Sequence, residues 1–408
     1  MSLINPNRNT AFLFAIHVMI IGVVFGLFTK LTKIPTFWPS VIVVLLITVF
    51  NNPIVLMRRS VLLTYALLSV IIVYDTLGHF NGLPIVATQN IGPLYIIYPY
   101  LLVAIIIENL LIFKKNSNAI IIRIGKFGLW VLIVAITISV ISEIMFGGIM
   151  RSHITQTQDL PFWAWSVSFG TIYSMPFVLM SVIMCYKGKK YTMYIIIFLF
   201  VFTIIRSGFM IALVITGVGS LMALLYRLNI KAFYFNIILV LVVILLSLSN
   251  INKIVSFLPK LPNQIYAEKA SDISKINENH GFIDILASTR QGVYDTSINT
   301  FIEHPIFGSG NFIDSGQHSY ILDRLSFVGI IGTFSYMVVL FTFFKRSSLL
   351  IEKSERKVYG YIIGTMFVFL LFNPIEWPDF WLSMFVIIPS IILYLSKVKD
   401  KKYILVKP

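Results

Sequence analysis

The feature that most constrains this chain is the recurrence of apolar runs about 20 residues long, separated by polar segments that are mostly short. A helix of about 20 residues spans the hydrocarbon core of a bilayer, so each run is a candidate membrane span. The 408 residues are 58% hydrophobic and 12% charged, whereas soluble domains are about half apolar and about a quarter charged. The sequence therefore predicts an all-α polytopic membrane protein, built as one integral membrane domain over residues 1–408.

About twelve spans are predicted, at 10–29, 37–56, 61–79, 93–113, 127–146, 165–186, 191–205, 207–226, 233–250, 319–344, 358–375 and 379–396. Arg206 interrupts the apolar run from 191 to 226. One unbroken helix of that length would overshoot the bilayer, so two helices meeting at Arg206-Ser207-Gly208 are predicted. Prolines inside spans predict kinks at Pro99, Pro176 and Pro389.

The formal net charge of +15 would indicate a nucleic-acid partner in a soluble protein. In the predicted topology with both termini cytoplasmic, roughly two thirds of the Lys and Arg fall on the inner side. The excess charge is then a positive-inside signal, with attraction to anionic lipid headgroups, and no nucleic-acid partner is expected. The single cysteine, Cys185, excludes an intramolecular disulfide and a cysteine-cluster metal site.

One predicted outer-face segment, residues 251–318, is long, and loops of this size are often functional. The most polar part of the chain begins inside it and runs from Ser288 to Gly332. Apolar positions repeat at helical spacing from Ser288 to Glu303, which predicts an amphipathic helix on the membrane surface or on the bundle. His304-Pro305 is expected to end this helix, and a tight turn is expected at Phe307–Gly310.

The order of these elements resembles the outer-loop signature of the O-antigen ligase and Wzy polymerase superfamily. Arg290 precedes the helix, and HPIFGSG and HSYILDRLSFVGIIG follow it. The IIRSG stretch around Arg206 resembles the family's second arginine motif, with a departure: the family has Ser-Arg-Gly, and this chain has Arg-Ser-Gly. The resemblance covers about Ile204 to Gly332 and implies a GT-C-like glycosyltransferase architecture. The His-Ser-x-x-Leu-Asp form is more similar to polymerases than to ligases.

The family resemblance implies glycosyl transfer from an undecaprenyl-diphosphate-linked donor. Arg206 and Arg290 are the candidate diphosphate ligands, because guanidinium groups bind phosphate oxygens in pairs and stay charged. The alternatives are a snorkelling residue for Arg206 and a solvated loop residue for Arg290. His318 is the candidate general base, because its ordinary pKa of about 6.5 suits proton transfer near neutral pH; the alternative is an interfacial histidine.

Four further residues are candidates for substrate binding: Tyr294, Glu303, Asp323 and Arg324. Asp323 could orient His318, face an acceptor sugar, or form an ion pair with Arg324 on the outer rim. Acidic residues near other outer helix ends could line a sugar cavity, but solvated rim positions are the default expectation for them: Asp75, Glu143, Glu376 and Asp379. The sequence has no DxD motif or metal-ligand spacing, so a metal-independent enzyme without a cofactor is expected.

The expected function is polymerisation of lipid-linked polysaccharide repeat units (O-antigen, capsule or exopolysaccharide) on the outer face of a bacterial plasma membrane. A chain-length regulator and a flippase are the expected partners, beside the lipid-linked donor and acceptor. The first alternative is an O-antigen ligase that transfers glycan to lipid A core. The second is a lipid-linked oligosaccharide flippase or other transporter, for which repeated halves and broken helices near the midplane are typical; no internal repeat is evident in this sequence.

Overall fold

The computed structural model describes residues 6–24, 37–80, 93–115, 117–146, 167–228, 291–310, 316, 318–373 and 377–397. Within these ranges the chain is helical and contains no strand. We label the helices α1 (Pro6–Val24), α2 (Phe37–Asn51), α3 (Arg59–Phe80), α4 (Pro93–Lys114), α5 (Ala119–Phe146), α6 (Phe169–Cys185), α7 (Lys190–Ser207), α8 (Met210–Arg227), α9 (Gln291–Glu303), α10 (Tyr320–Ser348), α11 (Arg356–Leu370) and α12 (Pro378–Lys397).

Every predicted span except 233–250 coincides with one of these helices, and 233–250 lies outside the described residues. Among the described helices, α5, α7, α10 and α12 are long and apolar enough to cross a membrane. Apolar helices α1, α2, α6 and α8 are shorter in their described extent. The prediction of an all-α membrane-embedded protein is confirmed at this level, and the number of crossings stays a prediction.

Helix α12 occupies the centre of the described bundle. Of the 18 residues in its most apolar stretch, 89% are buried, whereas between 33% and 50% are buried in the corresponding stretches of α5, α7 and α10. It packs against α1, α4, α5, α6 and α10. Gly125 of α5 lies so close to the Ser390 carbonyl that a Cβ atom there would collide with it. Small residues of this kind let membrane helices approach at backbone distance.

The middle of α12 is a single wide π turn at Ser383–Ile387, just before Pro389. Proline has no N–H, so the carbonyl four residues earlier, that of Phe385, loses its usual helical donor. The hydroxyl of Ser347 donates to that carbonyl at 2.7 Å. The neighbouring Met384 carbonyl accepts from the Tyr359 hydroxyl at 3.0 Å. The helix is therefore locally distorted just before Pro389, and neighbouring helices donate to the two carbonyls. The predicted kink at Pro389 stays a prediction.

The predicted break after Arg206 is confirmed. Helix α7 ends at Ser207, Gly208 follows with φ 72°, and α8 begins at Met210. A left-handed residue at the end of a helix is most easily a glycine, which has no Cβ to clash. Arg206 thus occupies the last turn of α7, where a cation also complements the helix dipole.

Basic residues from several helices gather at the opposite end of the bundle from this break. The Lys114 ammonium donates to the carbonyls of Leu349 (2.6 Å) and Ile351 (3.1 Å). Other contacts at this end join Arg227 to the Ile183 carbonyl (2.9 Å), Arg346 to Glu108 (2.5 Å) and Lys397 to Glu352 (2.9 Å). The cations that the charge pattern assigns to one side therefore share one end of the described bundle.

Candidate functional site

The central feature of the candidate site is a break in α10. Gly329 has φ 63° and ψ −168°, which is not helical, so the N–H and carbonyl groups around it lack their usual partners. The turn that follows α9, residues 305–310, supplies those partners through four backbone hydrogen bonds. These are Ser309 N–H to Ser326 O (2.8 Å), Gly310 N–H to Phe327 O (3.0 Å), Ile330 N–H to Pro305 O (3.0 Å) and Ile331 N–H to Ile306 O (3.3 Å). We call this pairing of residues 305–310 with residues 326–331 the clasp.

Two glycines make the clasp possible. Gly308 and Gly329 both have positive φ, at 74° and 63°. A Cβ atom on Gly308 would collide with the Phe327 carbonyl, and one on Gly329 would collide with the Ile306 carbonyl. Only glycine combines this backbone conformation with so close an approach. The two motifs that carry the family resemblance, HPIFGSG and HSYILDRLSFVGIIG, therefore pack directly on each other.

Asp323 fastens α9 to the first half of α10. Its carboxylate accepts from the Ser297 hydroxyl at 2.8 Å and from the Ser319 N–H at 3.0 Å. The Ser297 oxygen also accepts from the N–H of Gly316 at 2.7 Å. Asp323 is only 2% exposed, so its oxygens are satisfied inside the protein, as buried carboxylates require. Asp323 therefore joins α10 to Ser297 of α9 and to Ser319, and through Ser297 to Gly316.

Arg324 is 1% exposed and lies among aromatic rings. Its guanidinium carbon is 4.7 Å from the ring centroid of Tyr336 and 5.3 Å from that of Tyr320, both within cation–π range. The Tyr320 hydroxyl meets the Tyr100 hydroxyl at 2.6 Å, and Trp381 packs beside both tyrosines. These contacts join the first half of α10 to α4 and α12. Because Asp323 and Arg324 are both buried, they do not form a solvent-exposed pair on the rim.

Arg206 lies beside a buried acid of α5. Its Nη2 atom is 3.9 Å from Oε1 of Glu143 and 3.5 Å from the Glu143 carbonyl oxygen. The Arg206 side chain is 19% exposed and that of Glu143 is 5% exposed. The default expectation of a solvated rim position is thus wrong for Glu143. Its carboxylate offsets the arginine charge in an apolar setting and holds the α7 end against α5.

Asp379, the first-turn acid of α12, is also buried. It accepts from the Ser168 hydroxyl and from the Thr171 N–H, the latter at 2.9 Å. These two donors belong to the start of α6, so Asp379 caps that helix at its positive end. The solvated-rim expectation is wrong here as well. Of the other acids in that group, Glu376 lies outside the described residues, and Asp75 lies within α3.

His318 is exposed and directly precedes Ser319, the residue that caps α10 by accepting from the Leu322 N–H at 3.2 Å. On α9, Tyr294 is half-buried and Glu303 is exposed. Arg290, which immediately precedes α9 in the chain, lies outside the described residues. The predicted convergence of Arg206, Arg290 and His318 on one substrate group therefore stays a prediction.

A series of contacts places the end of α7, which carries Arg206, and the start of α10, which follows His318, at the same end of the bundle. The ring of Phe209, just after the break, packs on Phe169 at 5.3 Å, and Phe169 packs on Trp377 at 6.0 Å. The carbonyl of Asn373, just before that tryptophan, accepts from the Tyr320 N–H at 3.2 Å. This end is opposite to the one where the basic residues gather.

Comparison with protein-family models and with curated proteins finds no match to this chain. Over the described ranges, no group of three or more His, Cys, Asp and Glu side chains could hold a metal ion.

Sequence reasoning missed several residues that build the site. Ser297 had a usable signal, since it is a polar residue flanked by Tyr294 and Phe301 on the side of α9 that packs on the protein. Tyrosines inside apolar spans, such as Tyr100 and Tyr336, are a weaker signal, because a buried hydroxyl needs a partner that the sequence does not reveal.

Proposed function

We propose that this protein is a polymerase of lipid-linked polysaccharide repeat units that acts at the outer face of a bacterial plasma membrane. It transfers a glycan from undecaprenyl diphosphate to the non-reducing end of another lipid-linked repeat unit. One observation carries the proposal: the motif residues around His318 and the arginine of the IIRSG stretch lie at one end of the bundle, away from the basic end. A one-sided arrangement suits an enzyme whose donor and acceptor are both presented at one membrane face.

The proposed reaction breaks the bond between the anomeric carbon of the donor glycan and its diphosphate, and forms a bond from that carbon to an acceptor hydroxyl oxygen. His318, which is exposed, takes the hydroxyl proton. The bonding electrons leave with the undecaprenyl diphosphate, and Arg206 and Arg290 stabilise its growing negative charge. No metal ion is required for these steps, because the arginines supply the positive charge.

The Glu143 carboxylate has a defined part in this proposal. At 3.9 Å from Arg206, it offsets the charge of the guanidinium and orients it at the bilayer boundary, where a lone cation is disfavoured. An incoming diphosphate is a stronger bidentate partner for the guanidinium than a carboxylate at this distance. Glu143 is thus a positioning residue, and it also repels the diphosphate once the glycan has been transferred.

The test uses cells that assemble the lipid-linked repeat unit and lack their own copy of this protein. Arg206→Ala and His318→Ala should each abolish polymer and leave single repeat units on the lipid, with membrane insertion unchanged. His304→Ala, which alters an exposed histidine nearby, is the matched control and should retain polymer. Normal polymer from both Arg206→Ala and His318→Ala would refute the site assignment.

A paired variant separates catalysis from structure at Arg206. If this arginine served only to neutralise Glu143, then Arg206→Ala combined with Glu143→Ala would restore polymer, because neither charge would remain buried alone. Under the proposal the double variant stays inactive. Arg206→Lys is informative in the same way, since lysine keeps the charge but loses the paired phosphate contact; we expect it to be strongly impaired.

The broken helix α10 is an observation in favour of a transporter, because discontinuous helices are typical of transporter sites near the membrane midplane. The position of the break argues for the polymerase. From Ile330 to Phe344 the helix continues as an apolar stretch of about 15 residues, or about 22 Å, so the break lies beyond the midplane of a hydrocarbon core about 30 Å thick. Repeat units that accumulate on the cytoplasmic face of cells lacking the protein would favour the transporter instead.

The ligase alternative differs in the acceptor, and deletion in the native host distinguishes it. Loss of a polymerase leaves one-unit glycan at the cell surface. Loss of a ligase leaves polymer on undecaprenyl diphosphate.

A further inference from the structure

We infer that α9 and the turn that follows it insert an apolar edge into the outer leaflet of the membrane and rest on its acyl chains. The inference does not depend on the proposed function. The apolar edge consists of residues that are between 39% and 68% exposed: Ile298, Ile302, Ile306, Phe307, Ile330, Ile331 and Phe334.

The first step is the continuity of this edge. Ile298, Ile302 and Ile306 are spaced four residues apart, so they form a stripe along α9 that continues into the turn. Ile330, Ile331 and Phe334 form a second stripe on α10. The hydrogen bond from the Ile331 N–H to the Ile306 carbonyl, at 3.3 Å, joins the two stripes at the clasp. The edge is therefore one surface built from two helices.

The second step is its depth. The α10 stripe belongs to a helix that is long and apolar enough to cross the membrane, and its exposed apolar side chains are suited to contact lipid. The second half of that helix ends in Lys345, Arg346 and two serines. At about 1.5 Å per residue its apolar part, from Ile330 to Phe344, spans about 22 Å, so Gly329 lies in the opposite leaflet of a hydrocarbon core about 30 Å thick. The clasp holds the α9 stripe at that same depth.

The third step is the chemistry of α9. Its inner side is anchored to the protein by the buried Ser297. The two isoleucines of the α9 stripe lie on one flank of this anchored side, and the exposed polar residues Asn299 and Glu303 lie farther round the helix. Asp295, seven residues before Ile302, is in line with the isoleucines and ends the stripe toward the start of α9. A helix with one apolar flank and one polar flank lies in the interface plane, with the apolar flank below the headgroups. Acyl chains are therefore the occupant that fits this edge.

The experiment uses the full-length protein in lipid vesicles, with nitroxide spin labels on single introduced cysteines. The one native cysteine, Cys185, is 2% exposed, so wild-type protein measures the background labelling. Ile302→Cys and Phe307→Cys are the test positions, Phe334→Cys is the lipid-facing reference, and Asn299→Cys is the matched control on the polar flank of α9. Collision with apolar oxygen and with a water-soluble nickel chelate is measured at each label.

We expect oxygen to relax the labels at 302 and 307 more than the nickel chelate does, as at 334, and the reverse at 299. Greater nickel accessibility at both 302 and 307 would overturn the inference. Labels at both positions that neither reagent reaches would overturn it too, because a second copy or another protein would then cover the edge.

A charge substitution gives an independent readout. Ile302→Asp should speed amide hydrogen exchange in α9 by roughly tenfold in vesicles. The substitution removes the free energy that the isoleucine side chain gains from contact with acyl chains, so α9 opens more often. Asn299→Asp should leave this exchange unchanged. Equal exchange in the two variants would contradict membrane insertion of the apolar edge.

Discussion

Replacement of Gly329 by alanine should destabilise the protein by about 3–5 kcal/mol. The first contribution is conformational: at φ 63° and ψ −168°, a residue with a Cβ atom is strained by about 1–3 kcal/mol. The second is the clasp. The new methyl group would collide with the Ile306 carbonyl and the Gly308 nitrogen, so the turn must move away. Two hydrogen bonds, from the N–H groups of Ile330 and Ile331, then weaken at about 1 kcal/mol each.

The free energy of unfolding is best measured by denaturant titration of purified protein in micelles, followed by tryptophan fluorescence. Gly364→Ala is the matched control, because that glycine lies within α11 and a Cβ atom there meets open space. Alanine at position 364 should stabilise the helix by up to about 1 kcal/mol. If Gly329→Ala is as stable as Gly364→Ala, the argument that the clasp needs a glycine fails.

Three other substitutions test buried polar contacts. Glu108→Gln should cost about 2 kcal/mol, less than for a fully buried pair because the Arg346 side chain is 32% exposed, and a double-mutant cycle with Arg346→Met should show coupling in denaturant titrations. Asp323→Asn should accelerate amide exchange in both α9 and the clasp, because the asparagine NH2 group cannot accept the hydrogen bond that one carboxylate oxygen accepted. Asp295→Asn is the exposed control, and equal exchange rates in the two variants would contradict this prediction. Ser347→Ala should lower the unfolding free energy by about 1–3 kcal/mol by leaving the Phe385 carbonyl without its donor, and Ser348→Ala, whose hydroxyl is exposed, should change it little.

The elements of the fold were predictable where the signal is local. The length of each apolar run sets the helices, and Gly208 marks the break between α7 and α8 because a left-handed residue ends a helix there. The amphipathic helix α9, its end at Glu303 and the turn that follows are likewise encoded by residues within a few positions of one another.

The roles of the charged residues were not predictable in the same way. Asp323 and Arg324 are adjacent, so an ion pair on the rim was a natural expectation. Neighbouring residues on a helix point about 100° apart, however, and these two therefore meet different elements. The partner of Asp323 lies 26 residues away in α9, and Arg324 meets a tyrosine twelve residues along its own helix beyond the break. Sequence spacing contains no information about such contacts.

The expectation that the acids at the helix ends are solvated was wrong for a related reason. Glu143 and Asp379 have the sequence context of solvated residues, yet both are buried. Each is satisfied by donors from another helix, Arg206 of α7 for one and the start of α6 for the other. Burial of a carboxylate depends on which donors packing brings to it, and packing is the part of the problem that hydropathy does not address.

The clasp has a mechanical consequence. A glycine with non-helical angles inside a long helix commonly acts as a hinge. Here the turn is bonded to both sides of the break, to Ser326 and Phe327 before it and to Ile330 and Ile331 after it. The turn therefore bridges the break, and its four hydrogen bonds oppose a change in the angle between the two halves of α10. A movement of α9 and the turn that follows it has to carry both halves of α10 together, or first break these hydrogen bonds.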